Sequence, residues 1–290
     1  MNQAERAAEE LRRLEAFAVR SGGRAYTSVP VSGPRLGGWP ATTPVHRVDA
    51  VWFDTGDDGA VVQHTDSTAG QFVEDLSTHP ATVLSIRGYT DRTALGMLIA
   101  GRELLSRSHP DHKLLTCMAL GGKPTWMDTV YLAGGIGIEF ADPESIRPSG
   151  SPHPGNPGRS DFEDAQILRY FEDAHRHSGW LIQEVPVADR RLDGLHVPTG
   201  EAGRSLEHWR ADMDLKSALR DFDVEVIEAK RQLNTDVIGQ VIAGANLIAR
   251  QFPDHRLIRQ TVVVSGEPDP ALRWVCDKRG ILVAAVPAPW

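Results

Sequence analysis

The sequence predicts an α/β protein made of two tandem copies of one domain, each a mixed central sheet flanked by helices. Two observations carry this. Residues 96–113, GMLIAGRELLSRSHPDHK, align without a gap on residues 239–256, GQVIAGANLIARQFPDHR, with nine identities that include the PDH exit. Around this match, helical and strand-like apolar spacing follow one another in the same order in both halves. The offset, 96 against 239, is far longer than the roughly 20–50 residues of a solenoid unit and marks a duplicated domain.

The elements follow in chain order. EELRRLEAFAVRSGG (9–23) aligns on AQILRYFEDAHRHSG (165–179) as a helix. RAYTSVPVSG (24–33) and HRVDAVWF (46–53) match WLIQEVPVAD (180–189) and RRLDGLHV (190–197), two strands of which the second holds R-x-D. An insert follows, then ATVLSIRGYTDRTAL (81–95) on VEVIEAKRQLNTDVI (224–238), the PDH helix and a last strand region. In the second half, Phe162, Ala165, Leu168 and Phe171 have helical spacing, with Asp161 as cap and Gly179 as stop. Residues 198–222 read as irregular with a helix over 205–220. Residues 235–252 read as a helix capped by Thr235 or Asp236, and 257–266 and 280–286 as strands. Pro and Gly crowd residues 143–160 and suit a boundary. The expected division is 1–145, a linker at 146–160, and 161–290.

Composition narrows the classes. Hydrophobic residues at 41% and charged residues at 24% describe a globular chain with an ample core, so no metal or disulfide staple is needed for folding. Cys117 and Cys276 form no C-x-x-C, and two cysteines suit a reducing compartment. The start, MNQAERAAEELRRLEAF, is a charged helix rather than a signal peptide, and no apolar run approaches the roughly 18 residues of a membrane span. A soluble cytoplasmic protein without a membrane partner is expected. The net charge of −8 opposes indiscriminate nucleic-acid binding but allows a local basic groove.

The chemistry-bearing residues lie in the second half. Asp193 sits in RRLDGL, and Glu228-Ala229-Lys230 ends the apolar strand VEVIEAK. Residues two apart on a strand share a face, so Glu228 and Lys230 point together, and a neighbouring strand brings Asp193 to them. Two carboxylates suit Mg²⁺, which keeps water ligands and bridges to phosphate. An apolar strand is a costly place for a merely solvated Glu–Lys pair.

This pattern resembles the PD-(D/E)XK nuclease superfamily, in its RecB-like and mismatch-endonuclease-like branches: Asp193, then Glu228-x-Lys230, then Gln240 in the following helix. The resemblance implies a restriction-endonuclease-like αβββαβ core and hydrolysis of phosphodiesters with Mg²⁺ or Mn²⁺, of DNA more often than RNA. By position, Asp193, Glu228 and the Ala229 carbonyl would hold the metal, Lys230 would serve the nucleophile, and Gln240 would position substrate or lysine. A further acid is expected from Glu172 on the first helix, with Glu163 ranked below it, or from Glu184. Such enzymes often act as dimers, so a homodimer is an expectation, as is a protein partner that recruits an acidic nuclease.

The first half keeps Asp49, but Ser85, Arg87 and Met97 stand where the second has Glu228, Lys230 and Gln240. It reads as a pseudo-nuclease that supports structure or substrate contact. Arg190 and Arg191 open a basic stretch with Arg204, Arg210, Lys216 and Arg220, interleaved with Glu201, Glu207, Asp212 and Asp214. A phosphate-contact face and a solvated helix face fit it equally. His109 and His112 lack the third ligand of a catalytic zinc. Gly134-Gly135-x-Gly137 is no dinucleotide fingerprint, and no serine sits in a nucleophile elbow. The other function class is an inactive nucleic-acid-binding or scaffold subunit, which need not bind metal.

Overall fold

The computed structural model describes residues 2–34, 36, 39–56, 59–86, 92–112, 114, 117–120, 138–140, 161–175, 178–187, 190–202, 204–208 and 214–288. The expected linker 146–160 and Arg87 lie outside these, as do the side chains of Arg190, Arg204 and Arg210. The chain divides into two compact units, Met1–Pro154 and Gly155–Trp290.

In the first unit the order is α1 (Gln3–Ser21), β1 (Arg24–Pro30), β2 (Arg47–Phe53), β3 (Ala60–Gln63), α2 (Ala69–Thr78), β4 (Ala81–Ser85), α3 (Arg92–Ser108), β5 (Cys117–Ala119) and β6 (Ile138–Phe140). The second unit runs α4 (Asp161–His175), β7 (Ser178–Val187), β8 (Arg190–Ala202), β9 (Arg204–His208), α5 (Leu215–Leu219), β10 (Asp223–Lys230), α6 (Thr235–Gln251), β11 (Leu257–Val264), α7 (Pro270–Lys278) and β12 (Ile281–Ala285). Among the described residues this is a mixed α/β protein with seven helices and two six-stranded mixed sheets. No helix is long and apolar enough to cross a membrane among them.

The two sheets share one plan. The strand orders are β3-β1-β2-β4-β5-β6 and β9-β7-β8-β10-β11-β12. Each position has the same sense in both: parallel, antiparallel, antiparallel, parallel, parallel. Leu14 and Phe17 of α1 pack on Ala25, Ala50 and Leu84. Ile167, Tyr170 and Phe171 of α4 pack on Leu181, Ile227 and Ala229.

Backbone details recur as well. Ser28 and Glu184, each just before a Val-Pro, are both left-handed at φ 53° and 56°. Gly101 of α3 and Gly244 of α6 occupy the same place. A Cβ on Gly101 would meet Val48 and Val83 at 2.2 and 3.3 Å, and one on Gly244 would meet Leu192 and Val226 at 2.6 and 3.2 Å. These are the glycines of the repeated IAG, and they let each helix approach its sheet closely.

Three expectations are corrected. No helix covers 205–220 as a whole: residues 204–208 form β9, which pairs in parallel with β7, and among the described residues of this stretch only Leu215–Leu219 is helical. The free edge of β7 offers hydrogen-bonding groups that a strand satisfies, and pairing overrides local propensity. The cap of α6 is Asn234, whose side chain accepts the Val237 N–H at 2.9 Å. Finally, the helices α1 and α4 superpose one turn away from the sequence match, since Leu14, Phe17 and Ala18 take the buried places of Ile167, Tyr170 and Phe171. Burial against the sheet decides that register, and Glu163 therefore corresponds to Glu10. The short α7, with Asp269 capping and Pro270 in its first turn, went unread in the sequence because nine residues span too few periods.

Candidate active site

β10 is the central strand of the second unit, and its residues Val224–Ala229 are buried. β8 pairs with it only from His196 to Gly194, against Glu225 to Ile227. Beyond Gly194 the strands part. There Asp193 supplies the acceptor that the ladder no longer offers: its Oδ2 accepts the Ala229 N–H at 2.9 Å. This fastens the Asp193 carboxylate next to the last turn of the pleat in β10.

Glu228 is 1% exposed. It faces α6, where a Cβ built on Gly244 would stand 3.6 Å from its Oε1, so the helix glycine leaves the carboxylate its space. Gln240, one turn earlier on the same helix face, is buried and donates from Nε2 to Asp236 Oδ2 at 2.9 Å. Lys230 ends the strand and reaches α4, donating from Nζ to Glu163 Oε1 at 2.6 Å, with both side chains about one quarter exposed (27% and 25%). Fully buried Gln166 on α4 donates from Nε2 to the Lys230 carbonyl at 3.3 Å. Its Oε1 has no hydrogen-bond partner among the described residues.

Charge explains the titration of this group. Burial pushes the Asp193 carboxyl well above the usual carboxylate range, and the negative charges of Glu228 and Glu163 add to it. The Ala229 N–H and the Lys230 ammonium pull the other way. Burial works to lower the Lys230 ammonium, but the Glu163 hydrogen bond and the charges of Asp193, Glu163 and Glu228 hold it above its ordinary value.

The structure thus gathers Asp193, Glu228, Lys230 and Glu163. Glu172 lies farther along α4 and is exposed. Glu184 pairs instead with exposed Arg191 at 3.4 Å. Of the two first-helix acids, it is Glu163 that meets the lysine. Glu163 and Gln166 are spaced three apart on a helix, but which helical turn meets the end of β10 is set by packing. Gln166 had no signal of its own in the sequence.

Asp193 and Glu228 are the acids that would hold a metal ion here. Two carboxylates on parting strands are hard oxygen ligands, and their mutual repulsion favours a cation between them. Among the described residues no group of three or more His, Cys, Asp or Glu is placed to hold a metal. Two protein carboxylates, with water and substrate oxygens completing the shell, is the Mg²⁺ pattern.

The first unit preserves the fastening of this arrangement without its second carboxylate. Asp49 Oδ2 accepts the Ile86 N–H at 3.3 Å and the Ser85 hydroxyl at 3.4 Å. The residue beside the fastened N–H is therefore Ser85 there and Glu228 in the second unit. Met97, at the Gln240 position, is buried.

No family model and no curated protein matches the sequence. Among solved structures, a repair endonuclease from Pyrococcus abyssi is similar at 13% identity, over 45% of this chain and 50% of that one, with a TM-score of 0.31. The chain spans about half the length of that structure. A likeness of this size fixes no shared chemistry, and the site stands on its own geometry.

Proposed function

We propose that the chain is a tandem pair of restriction-endonuclease-like domains whose second copy is a metal-dependent nuclease and whose first is a pseudo-nuclease. One observation carries this most: the Asp193 carboxylate is fastened to the Ala229 N–H beside buried Glu228, with Lys230 at the end of the same strand. The first copy keeps the fastening but has Ser85 in place of the buried acid and Arg87 in place of the lysine.

In this reading Asp193 and Glu228, with the Ala229 carbonyl, hold Mg²⁺ or Mn²⁺. Such an ion, when bound, would lower the pKa of a water and stabilise charge on the phosphoryl group. Water adds to phosphorus and one P–O ester bond breaks, leaving a phosphate monoester and an alcohol. Lys230 places a positive charge at the attacked phosphate and donates a hydrogen bond to the water or to a phosphate oxygen. Glu163 orients the lysine, Gln166 ties its main chain, and Gln240 fixes the α6 side of the site. DNA is favoured over RNA only by the resemblance of the motif. A monomer with one live site would nick a duplex or cut single strands, and two chains would be needed to cut both strands.

The test is cleavage of labelled single- and double-stranded DNA and RNA in Mg²⁺, Mn²⁺ and chelator, comparing wild type with Asp193→Ala and Lys230→Ala. Metal-dependent cleavage that both substitutions abolish supports the proposal. One observation favours a scaffold instead: Asp49 shows that the aspartate alone can serve to fasten two strands. Calorimetry separates the two, since a scaffold gives no Mg²⁺ or Mn²⁺ heat that Asp193→Ala and Glu228→Gln remove.

A further inference from the structure

Arg231 follows Lys230 where β10 ends. Its carbonyl accepts the Ser265 N–H at 3.3 Å, which ties this point to the end of β11. Its guanidinium lies over the Phe162 ring, 4.7 Å from the centroid. Phe162 precedes Glu163, the partner of Lys230. Two consecutive residues of α4 therefore hold the last residue of β10 and the one after it: an acid holds the lysine, and a ring holds the arginine.

The two cations differ in what is left to them. Lys230 is half-buried and matched by an acid. Arg231 is exposed and forms no ion pair among the described residues. Other arginines of this unit do find carboxylates: Arg191 with Glu184, Arg256 and Arg259 with Asp223, Arg273 with Asp277. Stacking on a ring face immobilises a guanidinium while its N–H donors stay in the plane, open to a bidentate oxyanion. An arginine so positioned one residue from the site, with no acid paired to it among the described residues, is a ready anion contact. In the sequence of the first copy Glu9, by the packing register of α1, and Gly88 align with these two positions, so ring and guanidinium are missing together with Glu228 and Lys230.

We infer that Arg231, stacked on Phe162, grips a backbone phosphate of the substrate strand adjacent to the phosphate being cut. This rests on the nuclease reading above. Arg231 is a positioning residue here: it binds the strand and takes no part in bond breaking. The contact ignores base identity, since phosphate carries no sequence information.

The experiment uses the full chain and whichever of the four polynucleotides wild type cleaves fastest. KM, kcat and the salt dependence of kcat/KM are measured for wild type, Arg231→Ala and Arg231→Lys, with thermal melting as a control for folding. Arg231→Ala is expected to raise KM about tenfold at nearly unchanged kcat and melting temperature. The slope of log(kcat/KM) against log salt should shrink by about 0.7–0.9, the loss of one phosphate contact. Arg231→Lys should restore the slope, which a purely structural role would not require. Wild-type KM and slope in Arg231→Ala overturn the inference and leave the nuclease reading intact. A fall in kcat at unchanged KM overturns it too, by moving Arg231 into the chemical step. Absence of wild-type cleavage on all four substrates with either metal overturns the nuclease reading and this inference with it.

Discussion

The two halves of this chain share a scaffold and differ in what they bury at its centre. On the face of the sheet that packs against the first helix, the first copy places Phe17 edge-on to Trp52, with centroids 5.6 Å apart, beside Thr82. At the matching places the second copy has Tyr170, His196 and Glu225. The Tyr170 and Thr261 hydroxyls donate to Glu225 Oε1 at 2.7 and 2.6 Å, and His196 Nδ1 lies 3.0 Å from its Oε2. On the other face, Ser85 and Met97 stand where the second copy has Glu228 and Gln240. One fold therefore accepts, at the same places, an aromatic pair and a hydrogen-bonded acid. The acid needs its polar neighbours, because an unmatched buried polar group is costly. The shared features, the fastening aspartate and the helix glycine, belong to the fold. The features of one copy alone are where its chemistry is to be sought.

Matched substitutions test this division. The largest difference is expected for the aspartates. Asp193→Ala should reduce cleavage on the order of 10⁴-fold, as removal of one member of a catalytic group does. Asp49→Ala should leave turnover within about twofold, and an equal loss in both variants would make the aspartate a strand fastener in each copy. Next comes the buried network. Glu225→Ala leaves Tyr170, Thr261 and His196 without their acceptor and should cost about 3–5 kcal/mol in chemical denaturation, against less than about 1 kcal/mol for Thr82→Ala. The glycines come third. Gly101→Ala and Gly244→Ala should each destabilise by about 1–3 kcal/mol, because both would drive a methyl into packed side chains. A cost in only one copy would break the structural equivalence of α3 and α6.

The smallest effect is a pH dependence in the first unit. Burial holds the His109 imidazole below its ordinary 6.5, helped by His112, and burial with Arg47 does the same to His64 against the pull of Asp66. A lowered folded value means that the unfolded chain binds more protons. Stability is then complete above about pH 6.5 and falls as pH drops from there toward the folded values. His109→Phe, which installs the residue that the second copy has at 252, should weaken this loss in melts between neutral and mildly acidic pH.

Much of this was legible in the residues. The IAG and PDH matches reveal the duplication because close helix packing demands glycine at one spot in each copy. The order Asp193, Glu228, Lys230 reads as a site because strand alternation sets Glu228 and Lys230 two apart in an apolar run. Other parts were hidden for a physical reason. Glu163 and Glu172 are equivalent as helical acids, and only the placement of α4 on the sheet makes the first-turn acid the partner of Lys230. β9 read as the start of a helix over 205–220 because its partner, the free edge of β7, is not adjacent to it in the sequence.

By itself the sequence determined the things that local patterns encode: two copies, the strand and helix periods, and the loss of Glu228, Lys230 and Gln240 from the first. The tertiary structure alone decided which residues meet across elements. It fastened Asp193 to the Ala229 N–H where two strands part, and it set Phe162 under Arg231. Strand divergence and the one-turn register of a helix are outcomes of packing a whole core, and no local pattern carries that information.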